Sequence, residues 1–408
     1  MKLLYVDIFA EAINPTATFT PLLFRAVNEQ TAFYGPGFTG RALLKRGLCE
    51  FIDEFGPFDG IVLGPNFPLL TQVDNPAEFT ARYFGRYNAL SPEPAVIEMF
   101  LRDVLQSLER INAVKFLSTL NLDVYGCTPW HIDRIEAFNL HLVGPNHQFL
   151  ARIADLPGYA KQERHYRRKA HIIGDAYIDF AQAHPERIVT ATHFVAETEF
   201  KLRHTDERAY DISVPGVRYN RRAVALEALS KAKMSRGQDY VFHLYRVLGR
   251  LGFKVFGRYL PLAIYHAAFV KGLADSRIVY TARGGFGLPI RKFFEIPAAG
   301  AMMICTPPYG FRELGFRHDD NCIIAEPDAV PAIVKELLAQ PAKVADIARR
   351  GQDLVFRQHS LKARAKQIAT CIEQILAGTY RGADWIDGRF TPRSGPAPVA
   401  APVEAVGM

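Results

Sequence analysis

The sequence predicts an α/β protein with two parallel-sheet domains, on three observations. In the first half, short apolar runs alternate with segments of helical length and pattern, as in a sheet whose strands are joined by crossover helices. After the polar stretch Thr205-Asp-Glu-Arg-Ala209 the alternation starts again. Gly284, Gly285 and Gly287 then precede a short apolar segment, Gly300 and the run Ala301-Met-Met-Ile-Cys-Thr306. Glycine loop, helix, glycine stop and strand is the order in which such a sheet brings a ligand to its carboxyl edge. The expected division is 1–205 and 206–360 for the two domains, 361–389 for a last helix, and 390–408 for a disordered tail.

Leu3 to Phe9 reads as the first strand, rich in Leu, Tyr, Val and Ile and closed by a loop of Asn, Pro and Thr. Thr18 to Asn28 fits a helix, Thr31 to Gly40 a strand and turn, and Arg41 to Phe55 one amphipathic helix. Phe58 to Gly64 and Val114 to Thr119 are further strands, with a helix from Pro92 to Ile111 between them. In the following loop Asp123, His131 and Asp133 stand out. Read structurally, Asp123 caps a turn and His131 or Asp133 starts the helix before Phe138. Phe138 to Gly144 is another strand, and Ile188 to Phe194 holds the last strand of this half and the start of the linker. Between them Lys161 to His171 is basic, with Tyr166 among the cations. Such a mix suits an anionic lipid surface. Glu163 and its polar neighbours dilute the apolar stripe, which favours a plain solvated helix face.

In the second half, Tyr210 to Gly216 is a strand ending in glycine, and Tyr219-Asn-Arg221-Arg222 opens a helix through Leu229. Free N–H groups and the helix dipole there attract an anion, and Arg adds a bidentate fork. The competing reading is an Arg pair on a solvated turn. Gly252 to Gly257 reads as a strand, Leu260 to His266 and Phe269 to Asp275 as two helices, and Ser276 to Thr281 as the strand entering the glycine loop. Arg283, at the loop's tip, is placed either to reach a phosphate or to pair with an acid across the turn. Pro289 fits the first turn of the next helix and Gly300 the residue past its end. Glu295 shares that helix with Phe293, Phe294, Ile296 and Ala299, where a lone carboxylate has little structural purpose. Glu326 to Ala339, Pro341 to Phe356 and Ser360 to Ala377 read as the final helices. Phe390 to Met408 is rich in Pro, Ala and Val and has no periodicity.

Lys292-Phe-Phe-Glu295-Ile-Pro-Ala-Ala-Gly300 resembles the R-x-F-E-x-x-A-x-G signature of GT-B glycosyltransferases, and is most similar to the group-1 and CgeB-like (spore-maturation type) families. Gly216, Tyr219 and Arg222 match their G-x-x-Y-x-x-R loop, and the likeness continues through Asn321 to Glu326 and on to Arg357 to Ser360. The resemblance is loose in the N-terminal half. It implies the GT-B architecture, two Rossmann-like domains facing across a cleft, with a final helix crossing back to the first. It further implies transfer of a sugar from a nucleotide-activated donor to an acceptor hydroxyl, in bacterial surface polysaccharide or glycoconjugate synthesis. On that reading Glu295 binds ribose or sugar hydroxyls, and Gly216, Tyr219, Arg222, Arg283, Gly287 and Lys292 surround the nucleotide. Asp123, His131 and Asp133 face the acceptor, with Asp123 or His131 orienting or deprotonating it. Two departures stand out: Lys292 replaces an Arg and loses its bidentate geometry, and Pro297 removes a backbone donor inside the helix. Two other classes fit the fold. A sugar-nucleotide epimerase would concentrate acids and histidines in the cleft, and a non-catalytic scaffold would have lost Glu295 and the cations.

The 408 residues, 49% hydrophobic and 22% charged, suffice for two or three well-packed domains. No apolar run reaches membrane-spanning length, and Asp7 interrupts the first apolar stretch, unlike a signal peptide. Cys49, Cys127, Cys305, Cys322 and Cys371 are scattered and lack metal spacing, which suits reduced thiols in a cytoplasmic protein, at most peripheral at the inner membrane face. The net charge of +7 admits nucleic acid, an anionic membrane or an anionic substrate. No nucleic-acid motif is present. The expected partners are a nucleotide sugar, as substrate, and a glycan, lipid-linked or protein acceptor. No cofactor and no metal are expected, with Arg and Lys taking the place of a divalent ion.

Overall fold

The structure is a computed structural model, described here for residues 1–9, 19–65, 93–120, 124–156, 173–201, 208–216, 221–237, 244, 247–248, 251 and 259–396. Its N-terminal sheet joins six parallel strands, β1 (Leu3–Val6), β2 (Ala32–Tyr34), β3 (Gly60–Leu63), β4 (Val114–Ser118), β5 (Leu140–Gly144) and β6 (Ile188–Thr190), in the order β2-β1-β3-β4-β5-β6. β1 and β3 are buried along their whole length, which is why they read as unbroken apolar runs rather than alternating ones. Leu4, Val6, Ile61 and Leu63 pack with Phe51, Phe100 and Val104 of the helices Leu48–Phe55 and Pro94–Ser107. Leu3, Tyr5, Val62 and Phe116 share a second cluster with Leu23 and Phe24, and with Ile368 and Ile372 of the helix Leu361–Leu376. A helix from the end of the chain thus covers the first sheet.

The second sheet is also parallel, with β7 (Tyr210–Ser213), β8 (Arg236–Gly237), β9 (Ser276–Ala282), β10 (Met302–Thr306) and β11 (Ile323–Ile324) in the order β11-β10-β9-β7-β8. Ile212, Ile278, Tyr280 and Ile304 pack with Leu229, Val334 and Ile347, from the helices Arg221–Ser230, Val330–Leu338 and Pro341–His359. Val279, Met303 and Cys305 pack with Phe293, Phe294 and Ile296 of the helix Lys292–Ala298. Two parallel sheets, each covered by helices, are the two-domain α/β arrangement the sequence predicts.

The chain crosses between the two halves twice, and the crossings are bonded to each other. The Val195 amide donates to His359 O at 3.1 Å, and the Leu361 amide to Val195 O at 2.8 Å. Arg364, wholly buried, locks the junction by donating to Thr192 Oγ1 (2.8 Å), His193 O (3.3 Å) and Gln367 Oε1 (2.6 Å). Its guanidinium lies over the Trp385 ring. Burial lowers its pKa to about 9, so it stays charged at neutral pH.

Several local expectations are corrected. The helix expected from Arg41 to Phe55 is broken at Gly47 into Arg41–Arg46 and Leu48–Phe55. Gly47 has φ +93°, and a Cβ there would sit 2.8 Å from Asp103 Oδ1. Tyr259–Ala274 is one helix, not two. Phe390 does not open a disordered tail as expected: β12 (Tyr380–Ile386) and β13 (Arg389–Ser394) form an antiparallel hairpin. Buried Trp385 meets Phe390 at 5.5 Å within it, and a hairpin needs only a turn at Asp387-Gly388, which the composition of the tail hides. The strand expected at Gly252 to Gly257, the basic segment Lys161 to His171 and residues 397–408 lie outside the described residues.

His141, at the start of β5, and His193, just past β6, carry a pH prediction. Burial lowers each from 6.5 to about 4, with Arg187 adding to the effect at His141 and Arg291 at His193. The unfolded chain therefore takes up these protons first as pH falls. Stability present above pH 6.5 is expected to be lost between 6.5 and 4, by up to about 1.4 kcal/mol per unit for each histidine. Melting temperatures across that window should fall less steeply in His141→Gln than in the wild type. Parallel curves would refute the assignment.

Candidate functional site

The carboxyl ends of β7, β9 and β10 carry the residues singled out in the C-terminal half. Past β7, Gly216 has φ +91°, a conformation that suits glycine. A Cβ there would lie 3.0 Å from Lys292 Cε and 3.1 Å from both Lys292 Nζ and Arg222 Nη1. Three residues from separate elements thus meet at one point: two cations and a bare stretch of backbone. Arg222 is buried and donates to Pro215 O at 3.3 Å, which aims its guanidinium back over the turn. Lys292 starts its helix with Nζ 5.2 Å from the centre of the Phe269 ring. Paired cations at a helix start and a side-chain-free turn form an anion-binding arrangement.

A second cluster is built on Tyr309. The Arg283 amide donates to Thr306 O (3.1 Å), and its guanidinium lies over the Tyr309 ring at 5.5 Å. Among the described residues no carboxylate forms an ion pair with it, so Tyr309 replaces the acid considered as its partner. Gly287, φ +73°, leaves no room for a Cβ, which would fall 2.2 Å from Tyr309. The loop also reaches the first domain: Phe286 stacks on Tyr125 at 4.5 Å, and the Tyr309 hydroxyl donates to Asp155 O at 3.4 Å.

The helix Lys292–Ala298 begins three residues later than its Pro289 suggests, with Arg291 as its N-cap residue. It ends as expected at Gly300, φ +69°, through bonds from the Gly300 amide to Pro297 O (2.7 Å) and the Ala301 amide to Ile296 O (3.3 Å). Glu295 is not the lone carboxylate its neighbours suggest. Its Oε1 is ion-paired with Nη1 of buried Arg291, whose Nη2 donates to Glu199 Oε2 at 2.5 Å. Burial opposes the charge on Arg291, but Glu295 and Glu199 outweigh it and raise its pKa. The guanidinium lies 3.8 Å from the centre of the Phe19 ring. Among the described residues Glu295 Oε2 accepts no hydrogen bond. His193 lies close enough to feel both Arg291 and Glu295, and it is neutral at pH 7.

In the first domain, His131 is buried at the start of the helix Pro129–Ala137, where it completes a capping box with Thr128. Its Nδ1 accepts from the Thr128 amide (3.1 Å) and lies 2.8 Å from the Thr128 hydroxyl, which puts the ring proton on Nε2. The helix-start reading of His131 is therefore the one the structure shows. Asp133 is exposed on the same helix. Asp123 and Tyr219 lie outside the described residues.

Sequence reasoning missed Arg291, Glu199 and His193. The spacing of Arg291 and Glu295, four residues apart on a helix, was a usable signal. Nothing local connects either residue to Glu199, 92 positions from Arg291.

Residues 201–370 match the family described as glycosyl transferase-like. Three structures of HepE from Anabaena resemble this one, each covering 92% of this chain and 100% of that chain. The structure in complex with UDP has a TM-score of 0.53 at 12% identity. The structure with UDP-glucose gives 0.51 at 12%, and that with UDP and glucose 0.50 at 13%. At such identities the likeness is one of fold. No curated protein matches the chain. Residues 201–370 are glycosyl transferase-like in sequence, and the chain has the GT-B fold.

Proposed function

We propose that this protein transfers a sugar from a nucleotide-activated donor to an acceptor hydroxyl. The observation that carries the reading is the convergence of Lys292 and Arg222 on Gly216 at the carboxyl edge of the second sheet. That edge is where an open parallel sheet binds nucleotides. On this reading the two cations and Arg283 hold the diphosphate and stabilise the charge that develops on the departing nucleotide. Arg291 fixes one oxygen of Glu295, leaving the other to accept a ribose or sugar hydroxyl. Asp123 orients the acceptor, a glycan, lipid-linked or protein hydroxyl. The setting is bacterial surface polysaccharide or glycoconjugate synthesis on the cytoplasmic side, in peripheral contact with a membrane where the acceptor is lipid-linked.

A thermal-shift series with UDP-, GDP-, dTDP- and CMP-sugars tests the donor, because a ligand that binds only the folded state raises the melting temperature. UDP-sugars come first, since HepE binds UDP and UDP-glucose. A melting temperature unmoved by all four classes would refute the reading. Transfer is also expected to persist in excess EDTA, because Arg and Lys supply the positive charge. Activity lost with EDTA and restored by Mn²⁺ or Mg²⁺ would overturn that point, and Asp123 and Asp133 would then be the first candidate ligands.

A further inference from the structure

The loop between β10 and β11 builds a groove of about 660 Å³, within the size range of small-molecule sites. Pro307, Pro308 and Tyr309 line it with apolar surface, backed by Phe311 stacked on Phe316 at 4.8 Å. The wall is set before any ligand arrives. Asn321 donates to Gly315 O and accepts from the Arg317 amide, both at 2.8 Å, and the Gly388 amide donates to Glu313 O at 2.8 Å. Charge on the lining is balanced: Arg312 and Arg317 are matched in number by Glu313 and Asp387. Arg317 donates to Asp387 Oδ1 at 3.1 Å. Among the described residues, the side chains of exposed Arg312 and half-buried Glu313 make no hydrogen bond or ion pair. The groove begins at the donor cluster, because Tyr309 lines it and also carries the Arg283 guanidinium over its ring at 5.5 Å.

We propose that this groove holds the sugar chain of the acceptor, which makes the acceptor a neutral oligosaccharide. Sugar rings present apolar C–H faces together with hydroxyls that both donate and accept. Pro307, Pro308 and Tyr309 suit the faces. Arg312, which only donates, next to Glu313, which only accepts when ionised, suits adjacent hydroxyls. A polyanion is disfavoured, because Glu313 and Asp387 would repel it. An acyl chain would take Arg312 and Glu313 out of water with no partner for either, at a cost. On the glycosyl-transfer reading above, on which this assignment rests, the chain lies along the second domain. Its reacting hydroxyl then passes Tyr309 toward the donor held by Arg283.

The test is saturation-transfer NMR and calorimetry of the full chain, with and without UDP. The probes are neutral trisaccharides of glucose, galactose, mannose and N-acetylglucosamine, each beside its monosaccharide. At least one trisaccharide is expected to bind about tenfold or more tightly than its monosaccharide. Arg312→Ala and Glu313→Gln should each weaken that binding by about tenfold or more, the loss of a hydrogen bond to a charged group. Circular dichroism, melting temperature and UDP affinity should stay at the wild-type values, since neither side chain holds the fold. If Arg312→Ala fails to fold, Glu313→Gln, which keeps size and shape, carries the test. No binding of any trisaccharide, or binding unchanged in the folded variants, would overturn the proposal. So would tighter binding of trigalacturonic acid, which would assign the groove to an anion. UDP affinity separates the two readings. A chain that binds UDP but no trisaccharide fails only this assignment, whereas one that binds a trisaccharide through Arg312 but no nucleotide sugar fails the donor reading.

Discussion

Arg291→Met is expected to destabilise the protein by about 3–5 kcal/mol and to abolish transfer, because it leaves two buried carboxylates without their cation. Arg291 holds Glu199 and Glu295 at once, and all three side chains are largely withdrawn from water. Removing the cation leaves two like charges in a poorly solvated site. At least one must then take up a proton, and the helix Lys292–Ala298 loses its tie to the linker. Glu295→Ala should behave differently. Arg291 keeps Glu199, the buried charge stays paired one to one, and the fold should survive with a smaller loss. Transfer should still fail, because the carboxylate assigned to the donor hydroxyls is gone. Denaturant unfolding and turnover on both variants separate the two roles. Equal stability losses would show that Arg291 does not bridge the acids, and wild-type turnover in Glu295→Ala would remove the donor assignment.

Arg222→Ala and Lys292→Ala should each weaken nucleoside diphosphate binding by about 1.5–3 kcal/mol, the range for hydrogen bonds to charged groups. Because both side chains meet at Gly216, their effects should not add, and a double-mutant cycle should return a coupling energy. Gly216→Ala should weaken binding too, since its Cβ would occupy the space between the cations and L-residues disfavour φ +91°. Calorimetry with UDP reads the loss, and uridine, which has no phosphate, is the control. Unchanged UDP affinity in both cation variants would refute the diphosphate site.

Much of the second domain was legible in the chain itself. The glycine loop, the αL stop at Gly300 and the buried strand after it follow from neighbouring residues, because each depends on local φ/ψ preference and apolar periodicity. Gly216 and Arg222, six residues apart, were paired from sequence for the same reason. Glu295 stands out in the sequence as a carboxylate among apolar neighbours, but it is not the lone carboxylate it looks like there. Its partner Arg291 lies four residues before it, a helical spacing that brings the two side chains together.

The sequence by itself therefore determined the six strands of the first sheet, the carboxyl-edge loops and the cation-rich character of the second half. Those features arise within a few residues of each other, where steric and hydrogen-bonding preferences act directly on the backbone. Only the tertiary structure decided that Lys292 reaches Gly216, that Glu199 shares Arg291 with Glu295, and that Arg364 clasps Thr192 across the junction. These contacts join residues 76, 92 and 172 positions apart. Which distant side chains meet depends on strand order and crossover path, and a buried cation accepts whichever acid, carbonyl or hydroxyl the packing brings to it.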